Sequence, residues 1–497
     1  MEKFFEKLTD INGVVNGWVW GPVMLVFLVG TGIFLTCGLK FFQVGKIGLW
    51  MKNTFGTLFK RNGKNDKAGD GKTISSFQAL CTALGGTVGV GNVVGVATAI
   101  ATGGPGAVFW MWFAAFFGMI TKYAEIVLGI YYRKRTESGE WLGGAMVYLK
   151  EGFSDKKGLK TLGSVLGVLF AIFCVLASFG IGNISQINTI AANFEQTFNI
   201  PVMITGIILL VLMAFMALGG LKVIGSVTEK MVPFMSAFYI IGAVVIIVTK
   251  CTVLDDVFFA IFKGAFGFDA VAGGAIGVVI SKVAKSGIAR GVFSNEAGLG
   301  SSALVHSAAD VREPAKQGMW GVFEVFIDTI VICSLSALVI LSSGVIDLST
   351  GLVADGFTAN KASVLVTEAF VNSFGSVGGY FATIAIFFFA FSTVIGWFIY
   401  GSKACEFLLG KVATAIYKVT FVCFIIVGAT MDLSIAWNIS DTFNGMMAIP
   451  NLIGLVVLSG TVFKITKNYL ARFKGENVAP VLSAYDDIQA EMEAKED

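Results

Sequence analysis

The stretch LGGTVGVGN, residues 84–92, interrupts a long apolar segment of the chain with four glycines. Those glycines are Gly85, Gly86, Gly89 and Gly91. Each glycine costs about 1 kcal/mol relative to alanine in the interior of a helix. Irregular backbone at membrane depth is tolerated only where it lines a cavity or is buried in protein. We therefore predict that a membrane helix is broken here and that the break forms a solute site.

Composition places the chain among membrane proteins. Hydrophobic residues make up 55% of its 497 residues, charged residues only 14%, and the mean hydropathy is +0.79. Such values lie outside the usage of soluble domains, and a membrane helix needs about 20 mostly apolar residues. Eleven apolar segments of the chain are about that long, so the sequence predicts an all-α membrane protein with eleven transmembrane helices. They lie at 15–39, 74–101, 105–131, 163–190, 202–219, 223–249, 270–288, 318–343, 376–402, 412–431 and 440–463.

Basic residues are concentrated in alternate loops, and 30 of the 36 lysines and arginines fall in one set of them. That set comprises 40–72, 133–160, 222–230, 282–316, 403–418 and 464–495. Lysine and arginine favour cytoplasmic loops. We therefore predict an outside N-terminus, a cytoplasmic C-terminus and a multi-pass position in the plasma (inner) membrane of a prokaryotic cell. The stretch SNEAG, Ser294 to Gly298, then lies in a cytoplasmic loop.

The break in the second span is suited to a zwitterion and its ion. Freed carbonyls attract a cation, while the positive N-terminal end of the following half-helix attracts a carboxylate. Thr87 and Asn92 add a hydroxyl and an amide. The alternative is that the glycines only permit close helix packing, since Gly91 and Gly95 form a GxxxG pair. A nucleotide-binding loop is excluded, because no strand precedes the stretch.

Broken helices in transporters occur in pairs, at corresponding places in two inverted halves. The seventh span supplies the second one, with Gly273 and Gly274 near its outer half. The predicted divisions are an extra N-terminal helix at 1–40, a cytoplasmic linker at 41–73, a five-helix repeat at 74–250, an inverted five-helix repeat at 251–463 and a cytoplasmic tail at 464–497.

Polar residues inside apolar spans are costly and usually face a cavity. In the eighth span Asp328 either serves an ion or is a structural carboxylate, and Glu324 is predicted to be interfacial. In the fourth span the amides of Asn183, Gln186 and Asn188 contact either solute or lipid headgroups. Both pairs of alternatives stay open at this stage.

The ninth span carries adjacent hydroxyls at Ser392 and Thr393, which suit sodium because hard cations prefer oxygen ligands. Trp397 lies one turn after Thr393 and is placed to enclose a small apolar side chain. Otherwise it is an interfacial anchor. A glycine one further turn on, Gly401, leaves room for a side chain larger than methyl.

The segment GGPGAVFWMWFAAFFG, residues 103–118, closely resembles the signature of the alanine or glycine:cation symporter family, also called sodium:alanine symporters. Similar segments at 86–97, 118–133, 287–301 and 323–329 extend the resemblance over most of the chain. The resemblance implies a secondary transporter of the amino acid-polyamine-cation type, with one extra helix before a five-plus-five inverted repeat. The family usually has GTGN where this chain has GVGN, with Val90 in place of the threonine.

By this resemblance the substrate is expected at Gly86, Thr87, Gly89, Gly91, Asn92, Gly273, Gly274, Thr393 and Trp397. Gln186 is added as a substrate candidate because its amide lies inside the fourth span. Sodium is expected at Gly85, Val88, Asp328, Ser392 and Thr393. The expected partners are a small neutral amino acid, sodium and the lipid bilayer, with no nucleic acid and no cofactor besides the co-transported ion.

The sequence thus predicts sodium-coupled symport of alanine or glycine into the cell by alternating access. The alternative is a proton-coupled symporter that uses Asp328. An enzyme is not expected, because the single histidine, His306, stands in a predicted cytoplasmic segment without ligands at metal spacing.

Overall fold

The computed structural model describes residues 2–58, 73–137, 139–266, 276–354, 362–431 and 433–494. These residues form a helical bundle with a two-stranded antiparallel hairpin. The α-helices are α1 (Glu2–Val19), α2 (Pro22–Gly38), α3 (Phe42–Gly45), α4 (Ile47–Asn53), α5 (Phe55–Leu58), α6 (Ser76–Thr87), α7 (Val96–Gly103), α8 (Ala107–Tyr131), α9 (Ala145–Ser154), α10 (Lys160–Phe179), α11 (Ser185–Phe198), α12 (Val202–Thr249), α13 (Leu254–Phe266), α14 (Ile276–Asn295), α15 (Ala303–His306), α16 (Pro314–Val325), α17 (Ser334–Ser342), α18 (Ala362–Phe374), α19 (Ser376–Thr430), α20 (Leu433–Phe473) and α21 (Asp486–Ala494). The remaining elements are π-helical segments at Gly91–Gly95, Gly180–Ile184 and Phe326–Cys333, a 3-10 turn at Cys251–Val253, and strands β1 (Lys134–Arg135) and β2 (Trp141–Leu142).

Membrane-length helices dominate the described chain. By length and composition seven of them could cross a membrane, or eight if the bent pair α6 and α7 counts as one span. The two longest helices are kinked at single glycines with positive φ, Gly220 in α12 (φ 64°) and Gly410 in α19 (φ 77°). Both kinks fall where the sequence predicted a boundary between neighbouring spans. The number of eleven spans nevertheless stays a prediction.

The predicted break in the second span is present. α6 starts with a capping box, in which Ser75 Oγ accepts from Gln78 N and Gln78 Oε1 accepts from Ser75 N. The helix ends at Thr87, and Val88 leaves the helical region with ψ 87°. The continuation over Gly91–Gly103 is inclined by 50° to α6.

The seventh span differs from its prediction. Gly273 and Gly274 lie outside the described residues. α14 continues to Asn295 rather than ending near residue 288, and the helix is then interrupted until α15 begins at Ala303. Within the interruption Glu296, Gly298 and Gly300 all have positive φ. The described discontinuity therefore falls in the SNEAG stretch, which was expected in a cytoplasmic loop.

Because α14 is longer than predicted, Arg290 lies within this helix and not in the loop after it. Its Nη2 lies 3.3 Å from Oδ2 of Asp441, whose backbone oxygen accepts from Trp20 Nε1 at 3.1 Å. Trp20 and Asp441 lie at the ends of spans that were predicted to face outside. The pair of Arg290 with Asp441 is therefore inconsistent with the predicted cytoplasmic side of Arg290.

Candidate substrate and ion site

The broken second span offers backbone amides that are already satisfied by side-chain oxygens. Gly89 N donates to Asn92 Oδ1 at 2.9 Å, and Val90 N donates to Gln186 Oε1 at 3.3 Å. Asn92 and Gln186 are buried, with exposed fractions of 0% and 2%. Two amide oxygens thus occupy positions that a substrate carboxylate is chemically suited to fill.

Four of the groups predicted to hold sodium lie together. Thr393 Oγ1 is 3.1 Å from the carbonyl oxygen of Gly85, and Ser392 Oγ is 3.5 Å from that of Val88. Both hydroxyls also reach the carbonyl oxygen of Phe389, at 2.8 Å from Ser392 and 3.1 Å from Thr393. The break in the second span and the middle of α19 therefore form a buried cluster of neutral oxygens, which is the ligand type that hard cations prefer.

Asp328 belongs to a different cluster. Its carboxylate accepts from Asn92 Nδ2 at 2.7 Å, from Ser294 Oγ at 2.9 Å and from Thr329 Oγ1 at 2.7 Å. Among the described residues no hydrogen bond joins it to Ser392 or Thr393. Asn92 lies between the two clusters, because its oxygen caps the break while its nitrogen binds Asp328.

The glycines of the second span have different surroundings. A Cβ at Gly89 would overlap Thr393 Oγ1, and a Cβ at Gly91 would lie 3.1 Å from Ser294 Cα. Gly86 packs against α19, where a Cβ would lie 2.7 Å from the Tyr400 hydroxyl. A Cβ at Gly95 would meet no atom within 4 Å. Close helix packing therefore explains why residue 86 is a glycine. Gly91 and Gly95, however, do not form a GxxxG helix crossing, because only Gly91 approaches another helix closely.

Thr87 and Trp397, two further predicted substrate positions among the described residues, are buried within the bundle. Thr87 is 3% exposed, and its hydroxyl donates to the carbonyl oxygen of Ala83 at 3.2 Å in its own helix. Trp397 is fully buried, so it is not an interfacial anchor. Its ring packs on Gly182 and lies 5.4 Å from the Tyr400 ring, while its Nε1 has no partner among the described residues.

The space at Gly401 is not free for substrate. A Cβ at this glycine would overlap the hydroxyl of Tyr417 and lie 2.5 Å from Oγ of Ser178. The expectation that Gly401 enlarges the pocket beside Trp397 is therefore wrong, because a tyrosine from the far part of α19 fills the space.

The amides of the fourth span hold helices together. Asn183 Nδ2 donates to the carbonyl oxygen of Phe421 at 2.7 Å, and Asn188 Nδ2 donates to that of Gly428 at 3.1 Å. Asn183 and Gln186 are buried within protein, which excludes the headgroup alternative for these two. Of the three amides, Gln186 is the one that hydrogen-bonds to the broken span.

A buried ionic cluster escaped the sequence analysis. Lys122 Nζ lies 3.3 Å from Glu324 Oε1 and donates to Ser302 Oγ at 2.7 Å. Glu324 Oε2 lies 3.2 Å from His306 Nε2, and Gln317 Nε2 lies 2.7 Å from His306 Nδ1. Glu324 and His306 are fully buried, so the interfacial place predicted for Glu324 is wrong, and His306 lies inside the bundle. The only sequence signal was a lysine inside a span.

A second carboxylate holds the interruption after α14. Glu125 Oε1 accepts from the backbone nitrogens of Gly298 and Gly300 at 2.8 and 3.1 Å, and from Asn451 Nδ2 at 2.7 Å. Asn451 also donates to the carbonyl oxygen of Gly298 at 2.8 Å. The unwound backbone is thus satisfied by side chains from α8 and α20, as membrane depth requires.

Comparison with known proteins agrees with this architecture. The model of the sodium:alanine symporter family matches residues 5–483. The chain is 44% identical over 460 residues to the sodium/alanine symporter AgcS of Methanococcus maripaludis, which covers 93% of this chain and 97% of that protein. It is 34% identical over 487 residues to the probable sodium/glutamine symporter GlnT of Bacillus subtilis, with 97% and 94% covered.

A solved structure shows the same fold at low sequence identity. A Na+-coupled sialic acid symporter in a substrate-bound outward-open state has a TM-score of 0.51 at 14% identity, over 97% of this chain and 95% of that chain. The family match and the high coverage of both relatives lead to one conclusion: this chain belongs to the sodium:alanine symporter family.

Proposed function

We propose that this sodium-coupled amino acid symporter carries a small neutral amino acid, alanine or glycine, into the cell. The observation that carries the proposal is the meeting of the Ser392 and Thr393 hydroxyls with the carbonyls of Gly85 and Val88. The 44% identity to a sodium/alanine symporter supports alanine. A probable glutamine symporter at 34% identity is the reason that the substrate needs its own test.

In the proposed mechanism sodium binds among the oxygens of the second span and α19. Gly85, Val88, Ser392 and Thr393 contribute neutral oxygens, so the bound ion leaves a net positive charge at the break. That charge favours the substrate carboxylate at the adjacent backbone amides of Gly89 and neighbouring residues. Sodium and substrate therefore bind more tightly together than either does alone.

The substrate is proposed to lie along the break. Gly89, Gly91 and Asn92 border its backbone atoms, with Gln186 and Thr393 on facing helices. Trp397 is proposed to enclose the side chain. Gly86, Thr87, Gly273 and Gly274 stay in the proposed substrate set on the family resemblance. Asp328 stays in the proposed ion set because it is a buried carboxylate within the eighth predicted span.

Alternating access follows if joint occupancy favours closure of the outer path. A ligand shifts such an equilibrium only by its difference in affinity between the two states. The sodium gradient and the membrane potential supply the driving force, the potential about 2.3 kcal/mol per charge per 100 mV. The proposed location is the plasma (inner) membrane of a prokaryotic cell, with the N-terminus outside and the C-terminus in the cytoplasm.

Uptake into proteoliposomes tests the proposal. Purified full-length protein is reconstituted and given labelled alanine with an inward sodium gradient or, separately, an equal proton gradient. We expect accumulation driven by sodium alone. Accumulation driven by protons alone would overturn the oxygen cluster as coupling site and move it to Asp328, and absence of alanine uptake under both gradients would reject alanine as substrate.

A further inference from the structure

A groove of about 720 Å³ lies at the surface of the bundle between α12 and α19. Three polar residues of α12 line one side of it, Lys222, Ser226 and Lys230. They recur at intervals of four residues, so they follow one another along one face of the helix. Both lysines are exposed, and neither ammonium group has an ion-pair or hydrogen-bond partner among the residues that the structure describes.

The acidic residue nearest to this pair in the sequence does not line the groove. Glu229 Oε2 accepts from Gln78 Nε2 of α6 at 2.9 Å, which holds the carboxylate against α6. The neighbouring Thr228 also contacts α6, with its hydroxyl oxygen 2.9 Å from that of Thr82. No carboxylate of the described residues lines the groove. The two lysines are therefore open to an anion from outside the protein.

The other side of the groove is apolar. Val223 and Phe234 of α12 are 43% and 55% exposed, and Phe388 of α19 completes this side. In a bundle whose helices are long and apolar enough to cross a membrane, exposed apolar side chains are suited to contact hydrocarbon. The rest of α12 after the groove, residues 235–249, carries no charged residue. The lysines therefore distinguish this groove from the remaining apolar surface of the helix.

The position of the lysines along α12 is that of lipid phosphates. Lys230 lies about two turns inside the sixth predicted span, 223–249. A charged side chain in hydrocarbon is costly, but the long methylene stem of a lysine lets its ammonium group reach the headgroups. The kink at Gly220, with φ 64°, directly precedes Lys222. Both ammonium groups are therefore expected at the end of the span.

We propose that this groove binds an anionic phospholipid, with its phosphate between the ammonium groups of Lys222 and Lys230 and an acyl chain along Val223, Phe234 and Phe388. Basic pockets between membrane helices favour anionic headgroups, whereas a zwitterionic headgroup carries its own cation. Inorganic phosphate lacks the acyl chain that the apolar side accommodates. Binding of this lipid does not depend on which amino acid or ion the protein carries.

The two helices of the groove also hold the candidate ion site. A Cβ at Gly85 of the broken span would lie 3.5 Å from Cγ2 of Val232 in α12. In α19, Phe388 precedes Phe389, whose carbonyl oxygen accepts from the hydroxyl of Ser392. A lipid that bridges α12 and α19 therefore stabilises the two helices that pack against the broken span.

Native mass spectrometry of the full-length protein in detergent tests the site. The delipidated protein is titrated with phosphatidylglycerol or, separately, with phosphatidylcholine of the same acyl chains. We expect the dissociation constant of the first bound lipid to be at least about tenfold lower for phosphatidylglycerol, and inorganic phosphate not to displace it. The double variant Lys222→Gln, Lys230→Gln should bind phosphatidylglycerol at least about tenfold more weakly and phosphatidylcholine unchanged.

Matched variants separate the groove from general charge and general surface effects. Lys156→Gln, Lys157→Gln removes the same two charges from exposed lysines between α9 and α10 and should bind phosphatidylglycerol as the unmodified protein does. Val223→Trp fills the apolar side but keeps both groove lysines, and it should also weaken phosphatidylglycerol at least about tenfold, because the acyl chain loses its contacts. Val245→Trp is its control, since Val245 is a 45% exposed residue of α12 outside the groove.

Phosphatidylglycerol should also raise the unfolding temperature of the unmodified protein but not that of the groove lysine double variant. An equal rise in both overturns the proposal. So does equal binding of the two lipids, or equal weakening by the two lysine double variants, because net charge alone would then attract the lipid. Displacement by inorganic phosphate would assign the lysines to a free anion, and unchanged phosphatidylglycerol binding in Val223→Trp would exclude the groove as the place of the acyl chain.

Discussion

The proposed ion site depends on the side-chain hydroxyl groups of two residues in α19, Ser392 and Thr393. Thr393 Oγ1 reaches a carbonyl of the broken span and one of its own helix, Gly85 and Phe389. Ser392 makes the matching contacts with Val88 and Phe389. A hydroxyl inside its own helix needs only the second contact. The first contact, to another element, is what makes these two residues candidates for binding a cation.

Thr393→Val and Ser392→Ala are predicted to weaken sodium activation. Each variant removes one neutral oxygen from the proposed cage, and an interaction with a charged group contributes about 1.5–3 kcal/mol. The sodium concentration for half-maximal uptake should therefore rise about tenfold or more. Thr420→Val is the control, because Thr420 is a half-buried residue of α19 whose hydroxyl donates to the Ile416 carbonyl oxygen of its own helix. Equal sodium dependence in all three variants would contradict the assignment.

Lys122 is the clearest case of a charge that the fold must compensate. Its ammonium group and the Glu324 carboxylate are both 0% exposed at a separation of 3.3 Å. Removing one partner of a buried pair leaves an uncompensated charge. The pair therefore ties α8 to α16 and, through Ser302, to the short segment before α15.

Lys122→Met is predicted to lower the free energy of unfolding by about 3–5 kcal/mol, the usual range for a broken buried pair. The double variant Lys122→Met, Glu324→Gln should recover part of this loss, because the isolated carboxylate is gone. Lys134→Met is the control, since the pair of Lys134 with Glu151 is 40% and 24% exposed and such pairs contribute at most about 1 kcal/mol. Thermal unfolding in detergent measures all three, and equal losses for Lys122→Met and Lys134→Met would refute the role of burial.

Among the elements, the broken second span depends on close approach to α19. α6 and the segment after it meet α19 at Gly86 and Gly89, where any side chain would collide with Tyr400 or Thr393. This approach brings carbonyls of one element to hydroxyls of the other. The break alone exposes the carbonyls, but the crossing of the two helices forms the cluster.

Gly89→Ala is predicted to reduce sodium-driven uptake at least tenfold per folded molecule. The added Cβ would overlap Thr393 Oγ1 and push the broken span away from α19. Gly95→Ala is the matched control in the same segment, because its Cβ would meet no atom within 4 Å. If both variants transport at the same rate, contact between the break and α19 is not required for transport.

At the scale of the whole molecule, the C-terminal residues connect distant parts of the chain. Ala484 N donates to the Tyr131 carbonyl oxygen at 3.0 Å, and Glu491 pairs with Arg135 at 2.7 Å. Leu482, with Ile488 and Met492, is buried against Trp141 of β2 in a small separate core. The tail thereby covers the hairpin that follows α8.

Leu482→Ala is predicted to release this tail. A leucine-to-alanine change in a core typically costs about 2–5 kcal/mol, and the small core here has few other members. Backbone amides of 481–494 should then exchange hydrogen faster, while those of α8 keep their protection. Val478→Ala is the control, because Val478 is 39% exposed. Unchanged exchange in Leu482→Ala would show that polar contacts hold the tail by themselves.

The sequence by itself determined the protein class and the break in the second span, and the family resemblance led to the expectation that this break pairs with Ser392 and Thr393. These features follow from composition, from glycines that disfavour a helix over a few residues, and from a family resemblance carried by contiguous motifs. Composition, glycine content and contiguous motifs are local properties of the sequence, so each of them could be read from one segment at a time.

Only the tertiary structure decided the place of the interruption after α14, the burial of Glu324 and the separation of Asp328 from the hydroxyls of α19. The decisive contacts join residues far apart in the chain: Lys122 and Ser302 are separated by 180 positions, and Asn92 and Asp328 by 236. A carboxylate at a given depth is costly until a partner is found. Which partner it finds depends on how helices cross, and no spacing within one helix specifies that crossing.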